Sequence, residues 1–210
     1  MRDCIFLLAD LGMVAAFKGF FFRQGFYHAL GTAPFHVDPQ LDIICDRAGN
    51  DPGVYTRAHE LLRTYQSSHR YAVIVLDNAW EGSPGVEKIR ANISANMELV
   101  GWQTNRFVVI VIDPEIEAWM WQDNPHVARA FGFSLRPSLR DWLCKQALWP
   151  ADSPKPPDPK LAFEKTLKVS KAKIPSVVFK KICSGISFKY CVDDAFGLLK
   201  NTLQKWFPDE

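Results

Sequence analysis

The stretch YAVIVLDNAWEGSPG (Tyr71–Gly85) decides the fold. Its first part, Tyr71–Leu76, is a continuous apolar run, too short for a typical helix and rich in β-branched residues. Such a run predicts a strand buried on both faces of a parallel sheet. Ligands of open α/β sheets bind just beyond the carboxyl ends of the strands, so Asp77 and Glu81 are candidate metal ligands. A purely structural role for Asp77, as the cap of the following turn or helix, is equally open.

Three further apolar runs predict strands, and helical patterns separate them. The strands are Cys4–Ala9, Leu41–Cys45 and Arg106–Ile112, and the helices are Leu11–Phe22, Val54–Gln66 and Val86–Val100. The β-α-β-α-β-α-β order predicts an α/β fold with a mostly parallel central sheet and helices on both faces.

Acids follow several of these strands. Asp10 follows Cys4–Ala9 just as Asp77 follows Tyr71–Leu76, so both predicted strands end in an aspartate and then a turn or helix. Side by side in a parallel sheet, they would bring Asp10 and Asp77 together, where a divalent cation with oxygen ligands would bind. Asp46 lies at another strand end and stays open as a candidate, whereas Asp51 is predicted to cap a helix.

The segment Asp113–Trp121 places three acids within five residues, between a strand and a tryptophan-rich helix. If Pro114 is the first helical residue, Asp113 is its N-cap. Glu115 and Glu117 would then lie in the first turn, where the helix dipole favours negative charge. That structural reason and a role as catalytic or metal-binding carboxylates are equally open.

The composition changes after residue 135. We predict a core at residues 1–135 and a lysine-rich helical extension at residues 136–210, packed together as one compact unit. Residues 1–144 carry 13 Lys and Arg against 16 Asp and Glu, whereas residues 145–210 carry 12 Lys against 7 Asp and Glu. An acidic core beside a basic extension suits a metal site next to a phosphate-binding surface, although any single Lys is more often simply solvated. The extension's predicted elements are helices at Leu139–Leu148, Leu161–Lys168, Val177–Cys183 and Asp193–Phe207, with an extended loop at Pro150–Lys160.

Several classes of protein are excluded by missing motifs. The five cysteines form no CxxC pair and predict reduced, mostly buried thiols, as in a cytoplasmic protein. The apolar N-terminal stretch is broken by charges, so neither a secretory signal nor a membrane span is expected. There is no HExxH or HxH spacing, no GxSxG motif and no phosphate-binding GxxxxGK[ST] loop. These absences argue against a zinc site, a serine hydrolase and a P-loop protein, respectively. Four tryptophans could stack nucleic-acid bases, but their helical spacing favours the core; they are Trp119, Trp121, Trp142 and Trp149.

The strand-end acids resemble those of the Toprim domain. In that family a glutamate follows the first strand in an EG-x-x-D-like turn, and a later strand ends in an Asp-x-Asp pair that binds magnesium. ADLGMVAAFKGFF resembles the first motif, with Asp10 at the glutamate position. LDNAWEGSPG resembles the second, with Asp77 as its first aspartate.

Two more segments resemble a subgroup of small Toprim-like proteins encoded in bacterial anti-phage defence loci, among them the methylation-associated defence systems. VIDPEIEAWMW is similar to their acid-plus-EAW helix, and KPPDPK (Lys155–Lys160) to a lysine-proline segment. The likeness covers most of the chain through short motifs. It implies an Mg²⁺- or Mn²⁺-dependent nuclease that works with other defence proteins on nucleic acid. The residues implied are Asp10, Asp77, Glu115 and Glu117 for catalysis, with Glu81 as a further metal ligand, and Lys155 and Lys160 for the nucleic-acid backbone.

The chain also departs from the family pattern. Leu11 replaces the glycine after the first acid, the first acid is shortened to Asp10, and Ala79 replaces the second aspartate. Glu81 could substitute for that lost carboxylate only by folding back. Because fewer carboxylates hold magnesium more weakly, a catalytically inactive scaffold or interaction subunit of a defence complex is the alternative.

Overall fold

The central element is a four-stranded sheet in which every strand is parallel to its neighbours. A computed structural model describes residues 1–46, 49–134, 136–187, 191 and 193–209. The spatial order of the strands is β2-β1-β3-β4. They are β1 (Arg2–Leu8), β2 (Ile43–Cys45), β3 (His69–Asp77) and β4 (Phe107–Ile112). The predicted α/β fold with a parallel central sheet is confirmed.

The register brings the carboxyl ends of the strands level with one another. Leu8 of β1 pairs with Val75 of β3, and Asp77 of β3 pairs with Ile112 of β4. Asp10 and Asp77 each lie two residues after the Leu8–Val75 pair, so they occupy equivalent positions at the ends of their strands. The acids that follow β1, β3 and β4 therefore lie at one edge of the sheet, as the sequence predicts.

Ten α-helices surround the sheet in the described part of the chain. They are α1 (Leu11–Phe21), α2 (Phe26–Leu30), α3 (Asp51–Leu62), α4 (Val86–Leu99), α5 (Glu117–Met120), α6 (Pro125–Phe131), α7 (Leu139–Lys145), α8 (Pro159–Val169), α9 (Pro175–Cys183) and α10 (Asp194–Trp206). The chain moves from β1 outward to β2, then back across β1 to β3 and on to β4. Since parallel crossovers are right-handed, α1 covers one face, and α3 and α4 cover the other. None of the described helices is both long and apolar enough to cross a bilayer.

The C-terminal helices close the face that carries α1. Helix α9 crosses α1 so closely that a Cβ on Gly19 would lie 2.4 Å from the carbonyl oxygen of Lys180. Helix α10 packs on β4. The chain end returns to the body, where Trp206 stacks on Tyr71 with ring centroids 4.3 Å apart and Phe207 stacks on Phe35 at the same distance.

Most helix and strand limits fall within a few residues of their predicted positions, but two helix starts were wrong. Helix α3 begins at Asp51 rather than Val54, and its N-cap is Asn50, whose side chain accepts a hydrogen bond from the N–H of Gly53. Asp51 is therefore free of the capping role predicted for it. Helix α5 begins at Glu117 with no side-chain cap, so Asp113 is not an N-cap either.

The thiols also differ from expectation. All five cysteines are free, but only Cys4 and Cys183 are fully buried, while Cys144 is exposed. The prediction of reduced thiols is compatible with this arrangement, and the prediction that most are buried is wrong.

Candidate metal centre

The buried end of strand β3 carries Asp77, whose carboxylate is the centre of the acidic cluster. The residue is 6% exposed, and no described group forms a hydrogen bond with its Oδ1. Buried carboxylates normally have such partners, because losing hydration without replacement costs free energy. An unpartnered oxygen at this depth therefore indicates a position for a ligand.

Asp42 provides a comparison within the same protein. It is 0% exposed, yet its carboxylate accepts hydrogen bonds from the guanidinium of Arg2, from the N–H of Asp38 at 2.7 Å and from His69 Nε2 at 3.2 Å. Burial alone would raise the pKa of Asp42, but these partners hold it below its ordinary value. Hydrogen bonds thus satisfy the carboxylate of Asp42, whereas Oδ1 of Asp77 has no hydrogen-bond partner among the described residues.

The loop after β4 brings two glutamates to Asp77. The carbonyl oxygen of Pro114 accepts hydrogen bonds from the N–H groups of Asn78 and Ala79, at 3.2 and 3.0 Å. The segment is thereby held as a turn against the end of β3, which explains why no helix starts at Pro114. Asp113 instead accepts a hydrogen bond from the side-chain amide of Asn78 at 3.0 Å.

Past this turn, Glu115 precedes α5 and Glu117 opens it. Ligand oxygens of Asp77, Glu115 and Glu117 all lie within 4.8 Å of one another. Glu115 is 9% exposed, so two of the three acids are buried. The proximity of Asp77, at the end of β3, to the glutamates after β4 agrees with the prediction from the sequence.

A fourth acid, Asp51, touches the cluster from α3. Its Oδ1 accepts a hydrogen bond from the backbone N–H of Asp77 at 2.7 Å. The sequence interpretation missed this contact because it assigned Asp51 to helix capping. One signal was available: α3 begins at the same sheet edge as the strand-end acids, so an acid in its first turn was a candidate.

Asp10 stands at the rim of the cluster. It is the N-cap of α1, and its Oδ1 accepts a hydrogen bond from the N–H of Met13 at 2.8 Å. Its charge nevertheless acts on Asp77, Asp51 and Glu117 and raises the pKa of each. Asp10 therefore combines a structural role with a place beside the cluster.

The crowded carboxylates resist ionisation. Burial, reinforced by the charges of Asp51 and Asp10, raises the pKa of Asp77 well above its ordinary value. Burial is also the main reason why the pKa of Glu117 is raised to about 7, with Glu115 adding to it. Burial raises the pKa of Asp51 too, against the opposing hydrogen bond from Asp77. A cation placed among these groups would remove the repulsion between them.

The two lysines predicted to hold nucleic acid are engaged by the protein itself. Lys160 Nζ lies 2.7 Å from Oε2 of Glu115. Lys155 Nζ donates to the carbonyl oxygen of Ala118, also at 2.7 Å. Their predicted contact with a phosphate backbone stays a prediction. Lys160 is also part of the candidate site, because it forms an ion pair with Glu115.

Two other candidate acids lie outside the cluster of three carboxylates. Glu81 is exposed in the turn after β3 and is not among the acids whose ligand atoms converge. Asp46 is buried but forms an ion pair with Arg57. Neither residue is needed for the geometry at Asp77.

The tryptophans support the core interpretation. Trp119, Trp121 and Trp149 are at most 5% exposed, so their faces are not available to a base. Trp142 is half-buried and packs on Phe133. The three buried indole N–H groups donate to Asp193 Oδ1, the carbonyl oxygen of Pro159 and the carbonyl oxygen of Ser153, respectively.

A cleft of about 720 Å³ lies at the other end of the sheet, where Arg70, Arg106 and Lys205 contribute to its lining. Tyr71 also lines this cleft, and at about 3.3 Å per residue it lies roughly 20 Å along β3 from Asp77. None of its described lining residues carries a carboxylate. Its described lining therefore offers no carboxylate ligands for a hard cation, whereas the sheet edge at Asp77 does.

The cluster fits a hard divalent cation. Mg²⁺ and Mn²⁺ bind carboxylate oxygens, and Asp77, Glu115 and Glu117 supply three such groups within 4.8 Å. The unpartnered Oδ1 of Asp77 gives that ion a specific oxygen to bind. No protein family, curated protein or solved structure matches the chain.

Proposed function

We propose that the protein is a divalent-metal-dependent enzyme that cleaves phosphodiester bonds of nucleic acid. The observation that carries this proposal is the unpartnered, buried Oδ1 of Asp77 within 4.8 Å of ligand oxygens of Glu115 and Glu117. The parallel sheet supports it further, because open α/β folds bind their ligands at this edge.

In the proposed enzyme, Asp77, Glu115 and Glu117 hold Mg²⁺ or Mn²⁺. When bound, the ion supplies positive charge for a phosphate and lowers the pKa of a water molecule. Asp51 positions Asp77 through its hydrogen bond to the backbone N–H. Asp10 adds negative charge at the rim and fixes the start of α1, which keeps the first strand end beside the site.

The biological setting follows from the sequence resemblance. VIDPEIEAWMW and KPPDPK are similar to segments of small Toprim-like proteins of bacterial anti-phage defence loci. On that basis we propose a cytoplasmic component of such a system, with other defence proteins as partners.

A second candidate function is a non-catalytic subunit that keeps the fold and its metal site for assembly. Two observations favour it. Ala79 stands where the family has its second metal-binding aspartate, and Lys160 already neutralises part of Glu115. A subunit of this kind would bind the ion and leave nucleic acid intact.

Thermal unfolding tests the metal site. A ligand that binds only the native state raises its stability by RT ln(1 + [L]/Kd). Millimolar Mn²⁺ or Mg²⁺ should therefore raise the melting temperature of the wild-type protein, and Asp77→Asn should abolish that response. The same substitution should stabilise the metal-free protein because it removes a repelled charge.

The competing structural role makes a different prediction. If Asp77 were only a cap, Asp77→Asn would be nearly neutral, since Asn caps about as well as Asp. A wild-type melting temperature that does not respond to metal would refute the site. Cleavage of DNA or RNA that requires metal and is lost in Asp77→Asn would establish the enzyme, whereas metal binding without cleavage would favour the scaffold.

A further inference from the structure

We infer that Lys160 takes the place of a second metal ion, so that the acidic cluster binds one divalent cation rather than two. The inference rests on the proposed function, since it concerns how the same site binds its metal. Its observation is separate: an ammonium group of the protein lies 2.7 Å from a carboxylate of the cluster.

The position of the ammonium group suits this role. Two-metal sites hold their ions about 4 Å apart, with carboxylates shared between them. Lys160 Nζ contacts Oε2 of Glu115, and an oxygen of Glu115 lies within 4.8 Å of the ligand oxygens of Asp77 and Glu117. A cation bound to those two acids would have the ammonium group as its neighbour across Glu115.

The charges of the site also favour one divalent ion. Asp77, Glu115 and Glu117 together carry three negative charges when all are ionised, which one divalent ion and one ammonium group balance. Asp51 and Asp10 add negative charge beside these three groups, but each already accepts a hydrogen bond from a backbone N–H group. The ammonium group also interacts with the other two acids: besides its hydrogen bond with Glu115, the charges of Glu117 and Asp77 help to raise the pKa of Lys160.

The chain fixes the backbone that carries Lys160. The residue lies in the first turn of α8, where Asp158 caps the helix by accepting the N–H of Leu161 at 2.8 Å. The carbonyl oxygen of the preceding Pro159 accepts the indole N–H of Trp121, which is 1% exposed. The lysine is therefore held at the cluster by buried structure rather than by a free loop.

The contribution of this ion pair to folding should be small. The side chain of Lys160 is 53% exposed, whereas that of Glu115 is 11% exposed. Ion pairs open to solvent add little stability. Lys160→Met should therefore fold normally, and its effect should be seen in cation binding.

The test compares Mn²⁺ binding by the full-length wild-type protein, Lys160→Met and Lys165→Met. Lys165 is an exposed residue of the same helix, so its substitution removes the same charge away from the cluster. Calorimetric titration gives stoichiometry and affinity, and electron paramagnetic resonance distinguishes an isolated Mn²⁺ from a pair coupled at close range. Circular dichroism confirms that each variant is folded.

We expect one isolated Mn²⁺ per chain for the wild type and for Lys165→Met. Lys160→Met should bind two coupled ions, and its first ion should bind at least about tenfold more tightly. If Lys160→Met binds one ion, or if the wild type already binds a coupled pair, the inference fails while the proposed metal site stands. If no variant binds Mn²⁺, the proposed function itself fails.

Discussion

The carboxylate of Asp51 accepts the backbone N–H of Asp77 at 2.7 Å, although 26 residues separate them in the chain. This contact joins the start of α3 to the end of β3 and places a fourth acid behind the cluster. Asp51 acts on Asp77 in two ways: it holds the backbone through a hydrogen bond, and its charge helps to raise the pKa of the Asp77 carboxyl.

Substitution of Asp51 should separate these two effects. Asp51→Asn keeps an oxygen acceptor for the Asp77 N–H but removes the charge, so the metal-free protein should become more stable and Mn²⁺ should bind more weakly. Asp51→Leu removes the acceptor as well and should destabilise the protein by about 1–3 kcal/mol, the cost of an unsatisfied buried donor. Melting temperatures with and without Mn²⁺ measure both. Equal destabilisation by Asn and Leu would refute the electrostatic part.

Glu117 should make the metal-free protein sensitive to pH. Its pKa is about 7 in the folded state, raised chiefly by burial from an ordinary value of 4.5. Between these values the unfolded chain is ionised at this position and the folded chain is not, so stability should fall as pH rises from 4.5 to 7. Above pH 7, ionising Glu117 costs the folded state up to about 3 kcal/mol.

The measurement compares the melting temperature of the wild type with that of Glu117→Gln across this range, in the presence of a chelator. The variant has no group to ionise, so its advantage should be small near pH 4.5 and reach several degrees by pH 7.5. Saturating Mn²⁺ should remove most of the wild type's pH dependence. A difference between the two proteins that is constant with pH would contradict the assignment.

Glu81 provides a test of the sequence resemblance. The resemblance offers it as a substitute for the carboxylate missing at Ala79, but the residue is exposed and lies outside the converging acids. Glu81→Gln should therefore change Mn²⁺ affinity by less than about twofold, in the range of a surface substitution. Calorimetric titration beside Asp77→Asn measures this. A loss comparable to that of Asp77→Asn would show that Glu81 folds back onto the metal.

The fold and the edge that carries the site were predictable because both depend on local pattern and on one general rule. The length and β-branched composition of apolar runs such as Tyr71–Leu76 and Arg106–Ile112 favour buried strands over helices. Parallel strands bring their carboxyl ends to one edge, so acids after neighbouring strands must meet there. No distant contact had to be known to expect Asp77 near Glu115 and Glu117.

The unpredicted features depend on contacts between residues far apart in the chain. Lys160 and Glu115 are 45 residues apart, and nothing in either segment alone specifies that they pair. The predicted Asp113 cap was wrong because the N–H groups of Asn78 and Ala79, just after β3, donate hydrogen bonds to the carbonyl oxygen of Pro114. Local preference predicted a helix start there, and these tertiary hydrogen bonds hold a turn instead.

The contact between α1 and α9 should control the stability of the face behind the site. A Cβ at position 19 would lie 2.4 Å from the carbonyl oxygen of Lys180, and a backbone atom cannot move aside as a flexible side chain can. Gly19→Ala should therefore push the helices apart and destabilise the protein by roughly 1–3 kcal/mol. At about 2–4 °C per kcal/mol for a chain of this size, the melting temperature should fall by several degrees.

A matched control exists in α10. Gly197 is also helical, but nothing lies within 4 Å of the position its Cβ would take. Gly197→Ala should stabilise the protein by up to about 1 kcal/mol, because alanine is the better helix former. If the two substitutions have the same effect, helix propensity dominates and the close packing of α1 on α9 is wrong. Opposite signs would establish that the helical extension is held against the core through Gly19.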